Sequence, residues 1–293
     1  MAIKDAKCSS YVSRHNMFRR IFRLLSVTIF QIVTLCSLTM AEDRPMSLEG
    51  KIIGGSRANI SNFPHAVFLH INCGNKVTGS LCGSSVLNQL ILLTAAHCLK
   101  CTGKLTVTAH AGSEDRSKAQ YTGAVRKSLR IMIHPFYASL RTINDIALIL
   151  LNKELPLNNH IKRVLINISY PKVTKKTKAY VAGWGDIQEE PKIKQVKYLK
   201  KVRVDLVSMN KCRDTLGPLH PGQMCAGTTQ SIANRPARGD SGSALITSDY
   251  RQLGIVSWRI NGHLALVIYT NVTYFYSWIK DAAKRLYCEK IRY

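Results

Sequence analysis

Between residues 63 and 270 the chain is broken into short runs rich in Val, Ile, Leu and Thr, separated by Gly, Asn and Pro. The runs are 65–71, 84–93, 105–111, 129–133, 146–151, 179–182, 200–206, 243–247, 252–258 and 264–270. Strand-length segments with turn residues between them predict an all-β sandwich or barrel. No strand–helix–strand alternation and no repeat of fixed period interrupts the pattern. The chain has 293 residues, room for two modest domains or one large one, and at 46% hydrophobic it has material for a packed core. One segment has helical spacing instead: Phe275, Trp278, Ile279, Ala282 and Leu286 share a face, and Lys280, Asp281, Lys284 and Arg285 lie opposite. Lysine and arginine late in this helix suit its C-terminal dipole, and Thr273 is the expected N-cap.

The N-terminus reads as an export signal. A basic stretch from Met17 to Arg23 precedes the largely apolar residues 24–38, and cleavage is expected after Ala41. Residues 1–16 are long and polar ahead of such a signal, which makes Met17 an alternative start to Met1. An uncleaved membrane anchor competes with this reading, but 18 residues diluted by Ser26, Thr28, Gln31 and Thr34 are marginal for a span. Secretion into an oxidising compartment suits the nine cysteines, of which Cys8 and Cys36 would leave with the signal. In a secreted chain, Asn59, Asn167 and Asn271 become glycosylation sequons.

Forty-two basic against 17 acidic residues give a net charge of +25. Such a surface attracts polyanionic glycans, anionic surfaces, nucleic acid or acidic polypeptides, although scattered basic residues also serve solubility alone. No nucleic-acid-binding motif accompanies the charge. No metal-ligand spacing or cofactor fingerprint occurs, and Glu114-Asp115 is too small an acidic loop for calcium.

The chemistry concentrates at Arg238-Gly239-Asp240-Ser241-Gly242. A serine hydroxyl needs a base, a group to orient that base, and donors for the oxyanion it creates. Small neighbours let the backbone turn sharply, so that the N–H groups of Gly239 and Ser241 can converge as such donors. His97 closes the apolar run ending Leu93-Thr94-Ala95-Ala96, and Asp145 stands at the mouth of Ile146-Ala147-Leu148. The chain order is therefore His, Asp, Ser. With Ile52-Ile53-Gly54-Gly55, Gly183-Trp184-Gly185, Cys225-Ala226-Gly227 and Ser257-Trp258 in the same order, residues 52–288 resemble the chymotrypsin/trypsin family of secreted serine endopeptidases.

The resemblance implies two packed six-stranded antiparallel β-barrels with a C-terminal α-helix. The expected layout is an extension and signal over 1–41, an activation peptide over 42–51, and a protease domain over 52–288. Within that domain the first barrel is expected over about 52–163, the second over about 164–272 and the helix over about 273–287, before a tail of 289–293. It further implies His97 as base and then acid, Asp145 as the residue orienting it, Ser241 as nucleophile, and Gly239 and Ser241 as oxyanion donors. Cleavage after Lys51 by a trypsin-like protease would free an ammonium on Ile52 to pair with buried Asp240. Cys82–Cys98 and Cys212–Cys225 are expected disulfides from the family pattern, and Cys73–Cys101 is expected because their loops neighbour each other in that fold. Cys288 is left as a free thiol or an interchain partner.

The pocket departs from the family. Counting back from Ser241, the floor is Arg235, and the usual pocket cysteine is replaced by Ala237. Arg259 and Val267 stand at wall positions that are usually Gly, next to Ser257 and Trp258. An arginine floor repels Lys and Arg side chains and excludes trypsin specificity. Three readings stay open: Arg235, Arg238 and Arg259 pair with an acidic P1 side chain; Arg259 and Val267 leave room only for small P1 residues; or the pocket is closed. Outside the enzymes, a non-catalytic homologue acting as a binding module and a heparin- or membrane-surface binder are the rival classes.

Overall fold

The computed structural model describes residues 51–53, 55–74, 79–169, 178–186, 196–228, 235–259 and 265–291. The signal segment, the residues before Lys51 and the other stretches between these ranges lie outside them. Strands β1 (Lys51–Ile53), β2 (Ser56–Arg57), β3 (Ala66–Cys73), β4 (Ser80–Val86), β5 (Ile91–Thr94), β6 (Leu105–Ala111), β7 (Ala124–Ile133) and β8 (Ala147–Leu151) make up the first half. The second half holds β9 (Leu165–Ile166), β10 (Lys178–Gly183), β11 (Lys200–Asp205), β12 (Gln223–Ala226), β13 (Arg235–Ala237), β14 (Ala244–Thr247), β15 (Arg251–Trp258) and β16 (Val267–Asn271). Helices α1 (Ala119–Thr122), α2 (Met209–Leu216) and α3 (Tyr276–Ile291) complete it.

Alternation drives the first barrel. In β3 the side chains of Val67, Leu69 and Ile71 are buried while His70 faces out, and β3-β4-β5-β8-β7-β6 closes on itself. β8 has Leu148, Ile149, Leu150 and Leu151 all fully buried, as a strand covered on both faces must. At about 2 kcal/mol for each such side chain removed from water, this strand anchors the barrel. The apolar run 84–93 is two strands rather than one. Asn88 Oδ1 accepts from Leu90 N and Ile91 N at 2.8 Å each, turning the chain so that Ser85 pairs with Leu93.

The second barrel orders its strands β12-β16-β15-β14-β10-β11, with β2 added beyond β11 and β9 running parallel to β15. The ring closes through an isolated bridge between Leu206 and Ala226, where Val207 N donates to Cys225 O at 3.2 Å and Gly227 N to Asp205 O at 2.8 Å. Val181, Val202, Val204, Leu245, Val256, Val267 and Tyr269 fill it. A third cluster, including Phe63, Phe68, Trp184, Leu199 and Ile246, packs first-barrel against second-barrel residues. This is the two-barrel, all-β architecture expected from the resemblance.

Helix α3 starts later and ends later than its apolar spacing suggested. Thr273 is not its cap: its hydroxyl donates to Asn167 O at 3.0 Å, while Asn271 Oδ1 accepts from the N–H groups of Thr273 and Tyr274. Asn271 thus terminates β16 and turns the chain towards the helix.

Disulfides join Cys73–Cys101, Cys82–Cys98 and Cys212–Cys225. Cys288 is disulfide-bonded as well, so it is not the free thiol considered above. Two of the three sequons do not reach solvent, because Asn167 and Asn271 are buried and their side chains hold backbone groups; Asn59 is exposed.

Candidate active site

The loop from β5 into a short 3-10 turn carries His97, and the Cys82–Cys98 bridge ties that turn to β4. On the facing side, Asp145 stands two residues before the start of β8 at Ala147. The approach to Asp145 is a backbone of unusual shape, since Thr142 and Asn144 have φ of 48° and 56°. Asn tolerates this region, but a β-branched Thr does not adopt it cheaply. The segment is held in place by Asn144 Nδ2 donating to Phe136 O at 2.7 Å and by Gln223 Nε2 donating to Thr142 O at 3.4 Å.

Asp145 is fully buried and held from four directions. His97 Nδ1 donates to its Oδ2 at 2.8 Å and His97 N to its Oδ1 at 2.8 Å. Ser257 Oγ donates to Oδ2 at 2.5 Å, and Thr270 Oγ1 to the Asp145 carbonyl at 2.7 Å. Ser257 therefore supports the carboxylate from β15, a role beyond the pocket position expected from its sequence. Thr270 has no local signature at all, since only the β15–β16 pairing brings it there.

Burial alone would raise the Asp145 pKa, but the charge and hydrogen bonds of His97, with the Ser257 bond, hold it below the usual range. Burial alone would lower the His97 pKa, but the Asp145 charge and hydrogen bond outweigh it and the net shift is upward. Tyr137, also close to this carboxylate, is pushed up by burial and then by the Asp145 charge.

Ser241 sits in a turn whose shape depends on its neighbours. Gly239 and Gly242 have φ of 96° and 85°. A Cβ on Gly242 would come within 2.3 Å of Gly83 O, so no other residue fits that close approach. The turn is pinned by Gly83 N donating to Ser241 O at 2.7 Å and Gly242 N to Val256 O at 2.8 Å. Among the described residues, the N–H groups of Gly239 and Ser241 donate to nothing in the protein. One sulfur, Cys98 Sγ, lies 3.8 Å from His97 Nε2 and 3.6 Å from Ser241 O, so the base and the serine turn share a neighbour. Cys82, His97 and Cys98 come close enough to suggest a metal cage, but both sulfurs are tied in one disulfide and offer no thiolate.

Behind the serine, Asp240 is fully buried. Its oxygens accept from Gly185 N at 2.8 Å and Ala237 N at 2.6 Å. Burial, resisted by the Gly185 hydrogen bond and reinforced by Asp186, pushes its pKa up to about 8. Strand β1 pairs antiparallel with β13, with Ile52 opposite Pro236.

Of the arginines expected at the specificity pocket, Arg235 on β13 and Arg259 just beyond β15 are buried, whereas Arg238 is exposed. Two arginines, not three, are enclosed. Val267 packs with Ala237, Val256 and Tyr269 in the second-barrel core, and Trp258 packs against the Cys212–Cys225 bridge.

Two barrels with a histidine–carboxylate couple beside a serine turn whose Gly239 and Ser241 N–H groups have no partner among the described residues define a serine hydrolase of the two-barrel class. The family model for trypsin matches residues 52–279, and the chain belongs to that family, as a serine-type endopeptidase acting on polypeptides. It is 30% identical to Duodenase-1 of Bos taurus over 254 residues, covering 86% of this chain and 97% of that protein. It is 28% identical to Trypsin alpha of Drosophila erecta over 271 residues, covering 90% of this chain and all of that protein.

Proposed function

We propose that the protein is a secreted zymogen which, after cleavage at Lys51–Ile52, hydrolyses peptide bonds through His97, Asp145 and Ser241 and does not prefer Lys or Arg at P1. The observation that carries this reading is the buried Asp145 holding His97 Nδ1 at 2.8 Å beside a serine turn with two unengaged N–H donors. His97 takes the Ser241 proton on Nε2 as Oγ attacks the scissile carbonyl. Asp145 fixes the tautomer and stabilises the imidazolium, and the N–H groups of Gly239 and Ser241 receive the oxyanion. His97 then protonates the leaving amine, and water enters by the reverse sequence to release the acyl group.

Activation follows from Asp240. A buried carboxyl with a pKa near 8 lacks a full counter-charge, and the ammonium freed on Ile52 would supply one. For P1, enclosed Arg235 disfavours cations and suits a carboxylate, while Val267 and Arg259 narrow the space towards small residues. The test cuts the protein with a trypsin-like protease, labels Ser241 with a fluorophosphonate and profiles P1 on a peptide library. Cleavage after Asp or Glu, lost in Arg235→Ala, assigns the acidic reading; cleavage after Ala, Val or Ser assigns the small one. No labelling with Ile52 as the verified N-terminus would mean a non-catalytic homologue whose basic surface serves a polyanionic glycan or acidic protein.

Secretion also has a readable mark. When the protein is exported from a eukaryotic cell, peptide mapping after glycosidase treatment is expected to find glycan on Asn59 and none on Asn167 or Asn271. Occupancy of Asn271 in folded, active protein would contradict its buried position.

A further inference from the structure

Arg57 lies five residues beyond Ile52, and the chain there is gripped from two sides. β2 pairs along β11, with Arg57 opposite Lys200 and Ser56 opposite Lys201, and Ala58 N donates to Leu199 O at 2.9 Å. The Arg57 guanidinium carbon stands 3.8 Å from the centre of the Tyr198 ring, and its Nη2 reaches Glu114 Oε1 at 2.9 Å. Lys197 also approaches that ring, at 5.2 Å, and pairs with Asp115 at 3.5 Å.

The partners of Arg57 are themselves fixed. Leu199 N donates to Glu114 O at 2.8 Å, Arg116 N to Lys197 O at 2.8 Å, and Trp184 Nε1 to Glu114 O at 3.0 Å. Asp115 Oδ1 accepts from Ser117 N at 2.9 Å. An isolated surface ion pair stabilises little, because two flexible side chains must be ordered to make it. Here the backbone that carries Glu114 and Tyr198 is already fixed, and the flat group of the arginine meets an aromatic face and a carboxylate together.

We propose that Arg57 is a positioning residue for activation: its clasp on Tyr198 and Glu114 tethers the segment behind Ile52, so that the new ammonium stays within reach of Asp240. The proposal rests on the zymogen reading given above. A cut chain end frays unless something near it is tied down. Anchoring at β2 leaves only residues 52–55 between the tethered backbone and the new end.

The test uses the cut protein as wild type, Arg57→Ala and Arg57→Lys. Two quantities are read: the rate at which cyanate carbamylates the Ile52 α-amino group, and the fraction of Ser241 that reacts with a fluorophosphonate. Arg57→Ala is expected to be carbamylated about fivefold faster and to have a correspondingly smaller reactive fraction. Arg57→Lys, which keeps the charge but not the flat stack, should fall between. About 0.5 M salt should move the wild type towards Arg57→Ala and leave that variant unmoved. Equal melting temperatures of the uncut wild type and variant show an intact fold. If cut wild type and Arg57→Ala are equally protected and equally reactive, the clasp idea is wrong while the zymogen reading stands. If wild-type Ile52 reacts as fast as a free peptide while Ser241 is active, the zymogen reading fails and takes the clasp with it.

Discussion

Asp145→Asn in the cut protein is expected to lower kcat by about 10⁴, the loss known for the family's template, with little change in KM. The reason lies in which atoms surround the carboxylate. Oδ2 accepts from both His97 Nδ1 and Ser257 Oγ, and Oδ1 accepts from His97 N. An amide must place its NH₂ on one side. On the Oδ2 side it donates to His97 Nδ1 and forces the proton to Nε2, where it blocks acceptance from Ser241. On the Oδ1 side it faces the His97 backbone N–H, donor against donor.

The same substitution should move the acid limb of the pH–rate profile. The base works neutral, so activity rises with pH through the His97 pKa, which the carboxylate holds above the ordinary value against the effect of burial. Without that charge, burial dominates and the limb shifts to lower pH even as the plateau collapses. A drop in kcat smaller than tenfold, or an unmoved limb, would show that Asp145 does not orient the base.

Asp240 should give the uncut chain an unusual dependence of stability on pH. Its folded carboxyl keeps its proton up to about pH 8, while the unfolded group loses it near 3.8. The folded state therefore binds more protons in between, and stability falls as pH rises from about 4 to 8, by about 6 kcal/mol in total. His65 acts in the opposite sense. Burial lowers its pKa from 6.5 to about 4, so its contribution is lost as pH falls across that window. The difference between wild type and Asp240→Asn in urea melts isolates the first effect. Cleavage should abolish this slope, because the arriving ammonium keeps the carboxylate charged. Cut Asp240→Asn should also turn over at least about a hundredfold more slowly, having lost the ion pair that orders the oxyanion donors. If uncut wild type and variant show parallel pH profiles, Asp240 is not held protonated and the activation argument fails.

Much of this site was legible one residue at a time, because nucleophile turns, strand mouths and histidine loops have local sequence shapes. Gly242 and Asp145 are readable in that way. What was not legible depends on register between distant strands. Thr270 reaches the Asp145 carbonyl only because β16 pairs with β15, and Arg57 meets Glu114 only because β2 joins β11. Thr273 misled for a related reason: a hydroxyl with good capping chemistry was already engaged by Asn167 O. The break between β4 and β5 was hidden by an apolar run with no Gly or Pro, leaving Asn88 as the only turn signal.

Covalent constraint is unevenly spread over this enzyme. Cys73–Cys101 and Cys82–Cys98 both brace the histidine side, while Ala237, where the family resemblance expects a cysteine, is held by packing with Val256, Val267 and Tyr269. With no bridge at 237, single substitutions at 259 or 267 strand no half-cystine. Specificity is then the trait of this protein most open to change, by selection or by design, and the catalytic machinery the least.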